Sequence, residues 1–459
     1  MPSVQKRVLG VFTLAMINVA AIISLRNLSI MVDYGLGSIF FYTVASLLFF
    51  IPSALVCAEL ATGWPLRGGL FAWVSVAFGQ RWGLFAIWIS WILSISWFPA
   101  VLTFSAAAIA YLIDPALSNN KLYMVSMMLV IFWSATLVNF FGIQTSSWIS
   151  SVGAIIGTVI PGILIISLGL FWLLSGRPLQ LDMSWGALMP SLELNNVVFF
   201  VGVLLGLAGM EMSAYHARET KNPQRDYPKA IATSGVLILC LSVLGSLGIA
   251  FVVPKQDVHL VAGLLQAFQA FFAEFGIDHI VPWVALLAAV GSLAGINTWI
   301  MGPAKGILAA ADEGLLPEIM HYTNRYNVPV VTLLVQAILG SLLALVFFFM
   351  PDVNSAYWII TAITVQFAMI MYCFIFAAAI RLRYCQPDVV RAYKIPGKNY
   401  GMWIVSGLGF LTCLFGFCVG FIPPKQLTTG SIIFYDGYLF IGLLLLSVPP
   451  FIFYKIRKG

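Results

Sequence analysis

Charge is what this chain has least of. Only 9% of its 459 residues are Asp, Glu, Lys or Arg, against the roughly 25% of an ordinary soluble domain, while 61% are hydrophobic and the mean hydropathy is +0.99. So little polar surface cannot cover a soluble globule, and the composition points to an all-α integral membrane protein in contact with lipid. Cysteine and histidine are sparse too. Cys57, Cys240, Cys373, Cys385, Cys413 and Cys418 contain no C-x-x-C pair, and His216, His259, His279 and His321 fall in or beside different loops. Disulfides, a metal site and a cofactor are therefore not expected. A membrane enzyme would need clustered His, Cys or carboxylates within the bilayer, and a channel would need a filter loop or a ring of charge. Neither pattern is present. The first apolar run lacks a small-residue cleavage site and leads into a second span, unlike a removed signal peptide.

What the chain has is length in apolar runs. Stretches able to cross about 30 Å of hydrocarbon as helices recur at about 8–33, 38–62, 82–113, 121–142, 148–175, 193–216, 229–253, 281–301, 329–349, 356–381, 401–421 and 433–454, which predicts twelve transmembrane helices. The basic residues test that count. With alternating loops and the N-terminus inside, 18 of the 23 Lys and Arg fall on the inner side; Lys121, Arg177, Lys255 and Lys425 fall outside and Arg26 lies within a span. That bias is the one topology demands, so both termini are expected in the cytoplasm. The net charge of +6 follows from it and gives no reason to expect a nucleic-acid partner.

Two spans are interrupted. In the sixth, two glycines fall among Gly206, Leu207, Ala208 and Gly209, each weakening a helix by roughly 1 kcal/mol, and the carboxylate of Glu211 follows. Unpaired backbone groups in hydrocarbon cost several kcal/mol unless they line a cavity or meet protein, so a broken membrane helix marks a candidate site. Beyond it, Glu219 and the polar run Asn222 to Pro228 read as the exit into the cytosol. The first span is interrupted by Ser24, Leu25, Arg26, Asn27 and Leu28. An arginine near mid-membrane costs about 3 kcal/mol, and it either has a task there or snorkels to an interface.

Elsewhere Pro65 with Gly68 and Gly69 break the chain after the second span, where Glu59 and Arg67 suggest a structural ion pair. Trp97-Phe98-Pro99 and Pro161 mark kinks. The segment 258–275 is amphipathic and short of a crossing, which places it on the outer surface. Lys305 to Met320 reads as a separate cytosolic helix after Gly302-Pro303. Spans one and six, five apart and both broken, suggest inverted repeats enclosing a midplane site.

The runs AELATGWPLRGGLFAWV at 58–74, GMEMSAYHARETKNPQRDYPKA at 209–230, YKIPGK at 393–398, GFIPPKQL at 420–427 and PPFIFYKIRK at 449–458 resemble the amino acid, polyamine and organocation transporter superfamily. Within it the likeness is to bacterial glutamate and gamma-aminobutyrate antiporters, and it covers nearly the whole chain. The resemblance implies one domain over 1–459 with a LeuT-like 5+5 inverted repeat: repeat one about 8–175, repeat two about 193–381, broken helices 1 and 6, and two further helices about 401–454. It implies an antiporter of the bacterial inner membrane, monomer or homodimer, carrying amino acids by alternating access, with protons as a further partner. Substrate would meet the unwound residues Ser24, Leu25, Arg26 and Asn27 and Gly206, Leu207, Ala208 and Gly209. A half-helix N-terminus suits its carboxylate and the preceding carbonyls its ammonium group. Glu211 matches a position implicated in proton coupling, the alternative being a carboxylate locked in a hydrogen bond. Trp299 matches a tryptophan packed over substrate, and Tyr372 a tyrosine near the pathway.

Departures matter as well. The first break has Ser24 and Arg26 where the glutamate antiporter has a glutamate and a proline, Gly295 replaces a glutamate, and the chain ends at Gly459 without a tail to plug the inner mouth. A fixed cation in the pocket would repel cationic substrates, so Arg26 favours neutral or acidic amino acids. Alternatively it pairs with Glu211 or Glu59 as a lock.

Overall fold

The computed structural model describes residues 9–189, 194–216, 219–259, 261–350, 353–423 and 432–458. Lys6, Arg7, Arg218 and Lys425, which enter the charge bias, lie outside the described residues, as do several residues of the 420–427 run. The described residues are helical with no named strand, and only two isolated bridges join extended backbone.

In chain order the principal helices are α1 (Val11–Ile22), α2 (Gly37–Gly63), α3 (Gln80–Ile113), α4 (Lys121–Asn139), α5 (Thr145–Leu174), α6 (Leu194–Gly206), α7 (Pro223–Ala250), α8 (Gly263–Glu274), α9 (Val281–Asp312), α10 (Val330–Phe349), α11 (Val353–Cys385), α12 (Lys398–Val419) and α13 (Tyr435–Arg457). Among the described residues ten helices are long and apolar enough to cross a membrane. Neither α1 nor α6 is among them, because each stops at a break.

Burial sorts the bundle into centre and rim. The apolar window of α3 is 94% buried and that of α11 83%, against 39% for α12 and 17% for α13. Thus α3 and α11 form the middle with α9 packed on α3, α1 and α5 lie against α9 and α7, and α12 and α13 face outward. Small residues permit the closest approaches, as expected where lipid gives helices no hydrophobic drive to associate. Gly157 of α5 and Gly291 of α9 meet backbone to backbone, leaving no room for a side chain at either.

Two expected elements differ. The helix read at Lys305 to Met320 is the last part of α9, which runs unbroken through Pro303 to Asp312; only a short 3-10 turn, Glu318–His321, follows. Proline is tolerated there because neighbouring protein surrounds it, and Lys305, which suggested an exit to solvent, is ion-paired to Glu219. The amphipathic stretch near 258–275 does form a helix, α8, but its apolar face is not laid against lipid. Leu264, Leu265, Ala267, Phe268 and Phe271 are buried, and α8 packs on α7 and α9. Its apolar face finds protein instead of lipid.

Candidate substrate site

Both interruptions are real departures from helix. The ladder of α1 ends when Ile23 turns extended (φ −75°, ψ 109°), and helical bonding resumes with Asn27 N donating to Ser24 O at 2.9 Å. One of the carbonyls released by the break is used at once. Trp299 Nε1 of α9 donates to Ala21 O at 2.9 Å, and Ala20 O lies against Gly295, where a Cβ would approach it to 2.8 Å. In the other break Gly209 adopts φ +132°, a region L side chains rarely enter. Its N–H, which has no helical acceptor, donates to Tyr372 Oη of α11 at 2.6 Å. The same hydroxyl donates to Glu211 Oε2 at 2.5 Å.

The two breaks adjoin. Asn27 packs on Gly206, with its Nδ2 3.2 Å from where a Cβ would stand, and Ile22 occupies the corresponding place at Gly209, at 2.9 Å. Two enclosed cavities flank the first break, each of about 10 Å³, room for about one water. Ile23 and Ser24 line both; one extends to Gly206 and Ser242, the other to Trp97 and Gly295. Leu25 belongs to the second and points toward α5, so it does not face the sixth-span break. Leu207 and Ala208 are buried at that break.

Arg26 is 2% exposed. Its Nε and Nη2 donate to Asn27 Oδ1 at 3.2 and 3.0 Å, and its guanidinium stands 5.1 Å from the Tyr357 ring and 6.0 Å from Trp97. Trp97 in turn meets Trp299 at 5.6 Å between centroids. Cation–π contacts in a desolvated box are worth about 2 kcal/mol, far less than a counter-charge would supply. Among the described residues the box leaves Arg26 Nη1, Ser24 Oγ and Tyr357 Oη buried with no hydrogen-bond partner. Buried polar groups are nearly always partnered, so three around one cation are conspicuous.

The sequence brings Arg26, Asn27, Gly206, Gly209, Glu211, Trp299 and Tyr372 into this region but misses Tyr357, and Trp97 reads from sequence only as packing beside a kink. Neither carries a local signal: each is an aromatic in an aromatic-rich span, and only its position beside Arg26 distinguishes it. The suggested lock of Arg26 with Glu211 or Glu59 does not form. Glu211 is bonded to Tyr372, and Glu59 to Arg383 through Nε–Oε1 at 2.5 Å and Nη2–Oε2 at 2.6 Å. Arg67, expected to pair with Glu59, pairs with Asp312. Glu59 points inward to the 393–398 loop and accepts Ile395 N at 2.8 Å, while Arg67 lies half-exposed beyond the end of α2.

Below the site the chain closes on itself. Leu9 N donates to Glu219 O and Lys221 N to Leu9 O, both at 2.9 Å, which ties the start of α1 to the segment after the sixth-span break. The Lys305–Glu219 and Arg67–Asp312 pairs lie near that end. Burial pushes the Glu219 carboxyl up, but Lys305 and His216 together outweigh it and hold the group below the ordinary carboxylate range.

Membrane-crossing helices gathered around two buried helix breaks are the build of a secondary transporter. The comparisons agree: the chain belongs to the family whose model is described as amino acid permease, which matches residues 9–445. It is 44% identical over 98% of its length to an uncharacterised transporter of Legionella pneumophila, covering 97% of that protein. It is 32% identical to a glutamate/gamma-aminobutyrate antiporter of Lactococcus lactis over 91% of this chain and 84% of the relative. A probable agmatine/putrescine antiporter of Lactococcus lactis is 22% identical, with 87% of each chain covered. The protein is thus a multi-pass membrane transporter of the amino acid permease family, and not an enzyme.

Proposed function

We propose that the protein exchanges amino acids with an acidic or neutral side chain across the cell inner membrane, by alternating access. The observation carrying this reading is Arg26, a buried cation beside a helix break with no carboxylate bonded to it among the described residues. Removing one partner from a buried ion pair costs about 3–5 kcal/mol, so an anionic substrate group seated there would relieve an existing deficit. A cationic substrate would deepen it. On this argument the chain leans toward the substrates named for the glutamate/gamma-aminobutyrate relative and away from those named for the agmatine/putrescine relative. The ammonium group would take the carbonyl end of α1. Arg26 is a better anion partner than the peptide dipoles after the break, since Asn27–Ile30 is a single helical turn.

The architecture proposed is twelve spans, two inverted five-helix repeats beginning with the broken helices plus two further helices, both termini in the cytoplasm, working as a monomer or homodimer. The small cavities and the closed Glu219 end fit a conformer between the open ones. Proton-coupled symport is the second reading, favoured by Glu211, a buried carboxylate whose Oε1 has no partner among the described residues. The test is counterflow in proteoliposomes loaded with glutamate, gamma-aminobutyrate, agmatine or buffer. Exchange predicts uptake of labelled glutamate only against an internal amino acid, and symport predicts uptake into buffer-loaded vesicles driven by an imposed pH gradient. Uptake stimulated chiefly by internal agmatine would sink the Arg26 argument.

A further inference from the structure

A groove on the lipid-facing side of the bundle has chemistry that the transport site does not use. It runs between α11, α12 and the short helix Leu70–Phe78 as two hollows of about 320 and 730 Å³, which share Phe78, Ala377 and Phe410 as walls and are therefore continuous. One end is wholly apolar, beside Cys373 and Phe374. The other is lined by Arg381, Tyr384 and Trp403. From Cys373 to Cys385 the groove follows α11 for about 18 Å at the helical rise, close to the ~15 Å depth of one leaflet's hydrocarbon.

The polar end is built for a headgroup. Trp403 Nε1 donates to Tyr384 Oη at 2.9 Å, and both rings are about half exposed, as aromatics are where hydrocarbon meets water. Arg381 is exposed; its Nε donates to Ala77 O and its guanidinium lies 5.3 Å from the Phe78 ring. Its Nη groups have no ion pair among the described residues. Arg81 lies over Trp82, a wall of the smaller hollow, at 5.9 Å and over Phe451 at 5.1 Å, and has no ion pair among the described residues. Two arginines held by carbonyl and ring contacts at the rim of an apolar groove match a phosphodiester with an acyl chain behind it.

We propose that this groove is a binding site for an anionic glycerophospholipid, its phosphate on Arg381 and one acyl chain laid along α11 to Phe374. Arg81 adds to the field at the rim, and the Trp403–Tyr384 pair fixes the depth of the headgroup. The site stands apart from the helix breaks and does not depend on which substrate is carried.

Two variants separate charge from shape. Arg381→Ala removes the phosphate partner; Gly407→Trp fills the groove from its α12 wall, where a Cβ meets nothing within 4 Å. The full-length protein is delipidated, incubated with equimolar dioleoyl phosphatidylglycerol and dioleoyl phosphatidylcholine, and weighed intact by native mass spectrometry, with thermal melting as the check on folding. The expected result is preferential retention of phosphatidylglycerol by the wild type, weakened about fivefold in Arg381→Ala, the factor for one arginine at an anionic surface. In Gly407→Trp both lipids should be lost from the tightest site. Equal retention of the two lipids by all three proteins, an annular lipid only, would overturn the proposal. So would a second copy of the chain over the groove, seen as a dimer whose Trp403→Cys variants crosslink to each other.

Discussion

Tyr372 and Glu211 are joined by a 2.5 Å hydrogen bond that crosses from α11 to the segment just after the sixth-span break. Because the same hydroxyl accepts Gly209 N–H at 2.6 Å, the unwound turn and the carboxylate behind it are fixed by one atom. Any movement of the broken helix against α11 has to part with both bonds or carry Tyr372 along.

Tyr372→Phe should therefore strand two buried groups at once. Each is worth about 1–3 kcal/mol when left unsatisfied, so the variant should melt several degrees lower in detergent and lose most exchange activity. Glu211→Gln keeps a hydrogen-bond acceptor for the hydroxyl and should melt near the wild type. Its distinguishing readout is the pH profile of uptake, which flattens if Glu211 is the titrating group. An unchanged profile in Glu211→Gln would remove it from that role.

Arg26→Ala should reverse the charge preference of the pocket. Loss of an anion's partner predicts at least about a tenfold fall in affinity for acidic substrates, ~1.4 kcal/mol, together with new competition by agmatine or arginine. Arg26→Lys keeps the charge but not the two-pronged grip on Asn27, and should retain the exclusion of cations with weaker binding. Competition assays against labelled glutamate read both effects. Continued exclusion of cations by Arg26→Ala, with glutamate affinity unchanged, would show that the guanidinium is structural.

How much of this was legible beforehand depends on how local the cause is. Gly206 and Gly209 announce a break because a glycine's freedom is a property of one residue, and the +132° φ of Gly209 is the conformation such freedom permits. Arg26 announces itself because a charge in an apolar run is costly wherever it lands. What could not be read is pairing. Glu59 is 324 residues from Arg383 and only 8 from Arg67, so proximity in the chain suggests the wrong partner. Tyr357 and Trp97 look like any other aromatics until the fold places them around the guanidinium. The helix through Pro303 was hidden for a similar reason, since Lys305 looks like a solvent residue until Glu219 stands opposite it.

Glu59→Ala should be a stability lesion and not a selectivity one. Arg383 would lose its two-pronged partner, Ile395 N its acceptor, and Arg391 a carboxylate 3.7 Å away. Breaking a buried pair on one side costs about 3–5 kcal/mol. The variant should express poorly and melt well below the wild type, yet keep the wild-type order of substrate preference in whatever protein survives. A changed preference would place Glu59 in the pathway.

The Lys305–Glu219 pair should behave as a latch on the end of the bundle that Leu9 also closes. The folded pKa of Glu219 lies below its ordinary value, so its contribution is fully present above about pH 4.3 and is lost as pH falls through the lower folded value. Between pH 5 and 7 the latch should accordingly be indifferent to pH. Ser213→Cys, placed at a buried position between the break and Glu219 in a chain whose six native cysteines are replaced, reports on closure through a membrane-impermeant thiol reagent. In the parent background labelling, taken relative to the rate of the same thiol in the denatured chain at each pH because the thiolate is the reacting form, should be slow and flat across that range. Adding Glu219→Gln discharges the carboxylate and removes the charge pairing of Lys305, so labelling should rise severalfold at every pH. Rapid labelling of the parent at pH 7, equal to that of Glu219→Gln, would show that the pair does not hold this end shut.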